Sequence, residues 1–216
     1  MRYNIGTMIT LTYLGHSSFL VKYNNLSFII DPYQDNSVPG MKLPRVSANY
    51  VFTSHTHFDH NAVELVKIEP TNEELDYDTI IVPHDHHNGA KRGLNKMYLF
   101  RLGNYRLLFT GDLGCIPDEK VLKQIEGVDV ILAPINGFYT ISAEELHQIM
   151  DLIHPKVTIP IHYYRKENNS GYPDGKQIDI FKSLVGDDLE VNEPTFKIDD
   201  ELSKNKVVIL NKFYQE

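Results

Sequence analysis

Three imidazoles and a carboxylate crowd into six residues at His55-Thr56-His57-Phe58-Asp59-His60. Imidazole nitrogen and carboxylate oxygen are donor types that hold zinc and related first-row ions, so a metal site is the chemistry this run suits. The bland alternative is a polar loop rich in histidine, because ten histidines in 216 residues make some clustering expected. What separates the two readings is where the other candidate donors fall. Asp31 closes the apolar run Leu26 to Ile30, His84 follows Thr79 to Val82, Asp112 follows Tyr105 to Thr110, and His162 follows Lys156 to Ile161. In open α/β sheets ligands gather beyond the carboxyl ends of strands. Donors far apart in sequence are therefore expected to meet the His55 to His60 run, which itself follows a strand-like Tyr50 to Thr53.

The elements that must position these donors are legible as short runs rich in β-branched and aromatic residues, at Ile9 to Tyr13, Ser18 to Tyr23 and the runs named above. Asn24-Asn25 and Gly103-Asn104 each separate two such runs by two residues that tolerate positive φ, which predicts tight hairpins. Helical signals then interleave with strands. Ser142 and Glu145 have capping-box spacing, and Leu146, Ile149, Met150 and Ile153 form one apolar stripe that ends at His154-Pro155. Pro117 to Ile125 reads as a shorter helix before an apolar strand at Val128 to Ala133, and Lys206 to Leu210 as a late strand. Lys166 to Lys176, with Asn, Ser, Gly and Pro, reads as a surface loop beside His162. The order is strand-rich first and alternating afterwards, a mixed α/β architecture expected to form one domain over residues 1–216.

A formal charge of -8 disfavours a nucleic-acid partner, which would need a basic footprint. The lone Cys115 rules out a disulfide framework and a cysteine-rich zinc knuckle, leaving His and Asp as the metal donors. Met1 to Leu11 lack the apolar core of a secretory signal and no stretch approaches a membrane span, so the expected compartment is the cytoplasm. Oligomeric state has no signature in the sequence.

The His-x-His-x-Asp-His run, Gly111-Asp112-Leu113-Gly114 and Pro160-Ile161-His162-Tyr163 resemble the metal-binding motifs of the metallo-β-lactamase superfamily. Gly15-His16-Ser17-Ser18-Phe19, Ile30-Asp31-Pro32, His84-Asp85 with Arg92-Gly93, and Thr140 to Glu144 resemble its small metal-dependent hydrolases related to L-ascorbate-6-phosphate lactonase. The resemblance runs from about Thr10 to Leu210. It implies a four-layer αββα sandwich with the site at one edge. It also implies that His55, His57 and His84 hold one divalent ion, that Asp59, His60 and His162 hold another, and that Asp112 bridges them. Zinc is the first expectation, with manganese or iron as alternatives.

His86 and His87 stand beside His84 as rival ligands. His16 is implied to support a ligand or touch substrate, and shares the catalytic role with Asp59. Asp31 either caps the turn at Pro32 or supports a ligand from behind. A bound ion lowers the pKa of its water from about 15.7 to about 7, supplying a hydroxide that Asp59 would orient. The implied activity is hydrolysis of an ester-like bond (lactone, phosphodiester or thioester) in a small, anionic metabolite, with Arg92 and Arg165 as candidate anion contacts. Two rivals share the fold: a nuclease or phosphodiesterase acting on nucleic acid, and a di-iron oxidoreductase, whose first motif would carry a carboxylate where Thr56 stands.

Overall fold

Antiparallel hairpins open the chain. In the computed structural model, which describes residues 9–175, 177–186, 188–198 and 206–215, β1 (Ile9–Gly15), β2 (Ser18–Tyr23) and β3 (Leu26–Ile30) pair in sequence. Asn24 adopts φ +51° in the β2–β3 turn, as its short polar side chain permits. A small ribbon joins β4 (Ser47–Ala48) to β6 (Lys67–Ile68), and between them β5 (Tyr50–Phe52) runs parallel to β3. The strands β7 (Asp76–Pro83), β8 (Leu94–Leu102) and β9 (Tyr105–Phe109) form a meander, with Gly103 at φ +65° in its second turn. Alternation follows: α1 (Glu119–Ile125), β10 (Val130–Pro134), α2 (Ala143–Ile153), β11 (Val157–Ile161), α3 (Ile178–Val185), β12 (Asp188–Val191), β13 (Thr195–Ile198) and β14 (Lys206–Leu210).

These strands make a five-stranded sheet, β13-β1-β2-β3-β5, and a seven-stranded sheet, β12-β14-β11-β10-β9-β8-β7. From β9 to β12 the second sheet is parallel, and β10 and β11 are buried at every position. Continuous apolar runs mark such strands because both faces are covered. One face packs on the first sheet through Phe19, Phe28, Phe100, Leu107, Leu132 and Ile159. The other is covered by α1, α2 and α3 through Ile125, Leu146, Ile149, Ile153 and Phe181. On the outer face of the five-stranded sheet, Leu14, Leu20 and Ile29 are covered by Tyr33, Val38, Met41 and Leu43 of an irregular segment. The sandwich is thus the αββα type, with an outer layer on this side that is mostly loop.

Helix α2 carries the expected capping box, with both Ser142–Glu145 bonds present, and His154 closes it in the left-handed conformation before Pro155. Several elements have no counterpart in the sequence reading, among them the two-residue strands β4 and β6 and three later elements. Helix α3 starts without a side-chain cap, β12 has four residues, and β13 crosses to the edge of the five-stranded sheet beside β1. Of the surface loop expected at Lys166 to Lys176, Lys176 lies outside the described residues. The rest is a run of turns closed by an Arg165–Ser170 bridge. No helix among the described residues is long and apolar enough to cross a membrane.

Candidate metal centre

Every donor singled out at a strand end reaches one edge of the sandwich. The β5 exit supplies His55 to His60, the β7 exit His84, the β9 exit Asp112, the β11 exit His162, the β3 exit Asp31, and the β1–β2 turn His16. Three of them, His16, Asp31 and His162, sit at φ +55°, +46° and +56°. The left-handed region costs a residue other than glycine about 1–2 kcal/mol. Such strain persists where surrounding contacts over-determine it, a pattern that concentrates at functional sites.

Asp112 Oδ2 lies at the middle. It is 3.2 Å from His162 Nε2, 3.4 Å from His60 Nε2, 3.5 Å from His84 Nε2 and 4.0 Å from His55 Nε2. These gaps exceed the length of a charge-assisted hydrogen bond. They match the spacing of about 3.3 Å between neighbouring donors set 2.0–2.1 Å from a tetrahedral zinc. Two donor sets flank this oxygen, His55, His57 and His84 on one side and His16, Asp59, His60 and His162 on the other, each with donor atoms within 4.8 Å of one another. His55 Nε2, His60 Nε2, His16 Nε2 and Asp112 Oδ1 are buried without a hydrogen-bond partner. Buried polar atoms are normally satisfied, so orphans aimed at a common point are the mark of donors arranged for an ion. The residues present therefore fit divalent metal binding.

Asp31 organises both sets from behind. Its carboxylate accepts from Ser54 N at 2.6 Å, Ser54 Oγ at 2.5 Å and His60 Nδ1 at 2.7 Å. Ser54 Oγ has a single proton and gives it to Asp31, so its 2.9 Å contact with His55 Nδ1 requires that ring nitrogen to be the donor. One carboxylate thereby fixes the tautomer of His60 directly and of His55 through Ser54, leaving each Nε2 lone pair facing the centre. Asn95, wholly buried, accepts from Asp112 N at 2.9 Å and anchors itself by donating to Thr110 O at 2.8 Å. Both glycines of the Gly111 to Gly114 run are needed. A Cβ on Gly111 would stand 2.3 Å from Asn95 Oδ1, and one on Gly114 2.0 Å from Asp85 N.

Burial pushes the His16 imidazole down to about 3, helped by His162, and that of His55 down to about 2, helped by His60. Both rings are therefore neutral, as ligands must be. Burial alone would also lower His60, but Asp112, Asp59 and Asp31 outweigh it and raise its pKa, so an ion that binds at His60 Nε2 must displace a proton from it. The carboxyls of Asp59 and Asp112 are buried, which by itself would raise them. Neighbouring imidazoles, His60 and His16 for the first and His162 and His60 for the second, hold both well below the usual carboxylate range.

A pocket of about 300 Å³ opens onto the donors and is lined by His57, Asp59, His84, Arg92, Asp112, Tyr139, His162 and Tyr172. Arg92 stands over the Tyr139 ring at 4.8 Å. Asp85 holds its loop by accepting from the backbone N–H groups of His87, Gly89, Lys91 and Arg92. Tyr172 Oη donates to Asp59 Oδ2 at 3.0 Å. His86 points away and pairs with Glu145 at 2.7 Å, while His84 faces Asp112.

Arg165 departs from expectation. It is 4% exposed, outside the pocket lining, with its guanidinium 4.9 Å from the Tyr13 ring and 4.7 Å from the Tyr163 ring. The Arg165–Ser170 bridge turns the chain there, and the cation packs in the interior, away from the pocket lining. Ser54, Asn95, Tyr139 and Tyr172 were not assigned roles from sequence. Ser54 precedes the histidine run, a hint available in principle, whereas the other three carry no motif.

Comparison with known proteins agrees with this geometry. Residues 10–162 match the sequence profile of the beta-lactamase superfamily domain. A metal-dependent hydrolase of Carboxydothermus hydrogenoformans is 29% identical over 189 residues, covering 71% of this chain and 84% of its own. A metal-dependent hydrolase of Staphylothermus marinus is 26% identical over 217 residues, covering 82% and 91%. The crystal structure of a metallo-beta-lactamase superfamily protein from Thermotoga maritima superposes with a TM-score of 0.74 at 24% identity, covering 93% of this chain and 97% of that one. A profile match over most of the length, ending at the His162 that closes the donor set, establishes that the chain belongs to the metallo-β-lactamase superfamily.

Proposed function

We propose that this chain is a metal-dependent hydrolase that holds two divalent ions and cleaves an ester-like bond of a small, anionic metabolite. The observation that carries the reading is Asp112 Oδ2 set between four imidazole Nε2 atoms at 3.2–4.0 Å. His55, His57, His84 and Asp112 would hold one ion, and Asp59, His60, His162 and Asp112 the other. Zinc is the leading candidate, with manganese or iron as alternatives. When bound, such ions supply a Lewis acid and acidify water at neutral pH.

The chain's own residues do the rest. Asp59, ionised and held by Tyr172, offers a carboxylate oxygen that orients a water at the pocket floor. Burial and the Asp59 charge raise the Tyr172 phenol, so it remains a donor at neutral pH. Arg92, positioned by the Asp85 loop, offers a guanidinium to a phosphate or carboxylate on the substrate, and the Tyr139 ring beneath supports it. A pocket near 300 Å³ is at the small end of ligand sites, which favours a small metabolite. The bond cleaved is expected to be a lactone, phosphodiester or thioester.

Elemental mass spectrometry of protein purified without chelators tests the foundation. Two zinc or manganese ions per chain are expected, followed by turnover in a screen of lactones, phosphodiesters and thioesters that chelation abolishes. No metal, even after soaking with zinc or manganese, would overturn the reading, and two irons would redirect it to redox chemistry.

A further inference from the structure

His16 is a buried imidazole beside the donors whose Nε2 finds no hydrogen-bond partner. The nearest carboxylate atom, Asp59 Oδ2, is 3.3 Å from it. That is beyond the roughly 2.7–2.9 Å of a charge-assisted bond, and close to the donor spacing around Asp112. One donor atom from each of His16, Asp59, His60 and His162 lies within 4.8 Å of the others. The His16 and His162 rings approach to 4.0 Å between centroids.

The backbone holds the ring there. The His16 carbonyl accepts from Tyr13 Oη at 3.0 Å and from His162 N at 3.2 Å, tying the β1–β2 turn to the end of β11. His16 adopts φ +55°, where glycine or asparagine would fit with less strain. The turn itself does not require an imidazole. Besides ring contacts with Tyr33 and Tyr172, what the imidazole adds is a nitrogen in the donor set.

We propose that His16 is a direct ligand of the second ion, an inference that rests on the two-ion reading above. The second centre then presents His16, Asp59, His60, His162 and Asp112, against His55, His57, His84 and Asp112 at the first. Four donors suit the tetrahedral preference of zinc, whereas five suit an ion that takes five or six ligands, such as manganese or iron. The two centres would then differ in the metal each takes most readily.

Cobalt reconstitution of the full chain tests this without recourse to activity. Bound Co(II) shifts the ring N–H protons of the imidazoles that ligate it, and its visible absorption strengthens as coordination number falls. The variant is His16→Asn, because asparagine tolerates the left-handed turn while its shorter side chain takes the ring nitrogen away from the donor set. In the wild type, filling the second centre is expected to shift the His16 ring protons by direct contact. In His16→Asn one shifted imidazole signal disappears, the second cobalt binds at least about 100-fold more weakly, and the absorption of that centre strengthens. Two cobalt ions in the wild type with unchanged shifted signals and affinity in His16→Asn would overturn the His16 assignment alone. A wild-type chain that takes up no cobalt would overturn the two-ion reading and the assignment together.

Discussion

His57 is exposed at the mouth of the pocket, while His60, three residues on, is wholly buried. The sets to which they belong differ in bracing rather than in access, since both reach the pocket, one through His57 and His84 and the other through Asp59 and His162. For the rings of His55, His57 and His84 the side-chain brace from outside the set is the contact between His55 Nδ1 and Ser54 Oγ. Around Asp59, His60 and His162, Asp31, Tyr172 and the β1–β2 turn each fix a member from outside. On the proposed two-ion reading, a lightly braced centre stands beside a more heavily braced one, with Asp112 between them. Braced donors cost stability when removed, because buried partners lose their hydrogen bonds, whereas exposed donors cost only metal affinity.

The largest effect should come from the shared residue. Asp112→Asn is expected to weaken both centres by more than about 100-fold, since it removes the one charge common to them. Chelator competition followed by elemental analysis reads this directly. Retention of one ion at wild-type affinity would show that the two sets do not share Asp112.

Asp31→Asn separates the centres. Its carboxylate accepts from His60 Nδ1 and, through Ser54 Oγ, orders His55. Removing the charge should weaken the His60 centre by about 10- to 100-fold and the His55 centre less. It should also destabilise the metal-free chain by about 2–3 kcal/mol, the scale of a hydrogen bond to a charged group. Metal affinity and thermal midpoint measured on one preparation check both parts. A larger loss at the His55 centre would contradict the direct contact as the stronger brace.

What the sequence revealed tracks how local each feature is. The His55 to His60 run is a single loop, and strand ends flagged by β-branched residues located Asp31, His84, Asp112 and His162. The hairpin turns and the capping box of α2 are likewise set by neighbours in the chain. Asn95, Tyr139 and Tyr172 act across strands or loops, and nothing adjacent in sequence distinguishes them from ordinary polar or aromatic residues. The strand β13 was missed for a related reason: it pairs with β1, from which nearly the whole chain separates it.

The two arginines show the same limit, and they yield a crossed prediction. Both lie close in sequence to a proposed ligand, yet Arg92 lines the pocket and Arg165 packs between two tyrosine rings. Arg92→Gln should raise KM for an anionic substrate by about tenfold, or roughly 1.5 kcal/mol, with metal content and thermal midpoint unchanged. Arg165→Met should lower stability by about 1–2 kcal/mol through lost cation–π contact, and leave KM unchanged. Equal KM shifts in the two variants would return Arg165 to the substrate side.

The smallest effect is expected where sequence left two histidines as rivals. His84 Nε2 faces Asp112 at 3.5 Å in a buried setting, whereas His86 Nε2 meets Glu145 Oε1 at 2.7 Å with its side chain 55% exposed. An exposed pair of this kind contributes about 0.2–1 kcal/mol, so His86→Ala should shift the thermal midpoint by no more than a few degrees. Glu145 keeps its capping-box bond to Ser142 N through its other oxygen, so α2 should stay formed. Metal content should be unchanged in His86→Ala and reduced in His84→Ala. The reverse pattern would mean that the loop held by Asp85 rearranges on metal binding to exchange one imidazole for the other.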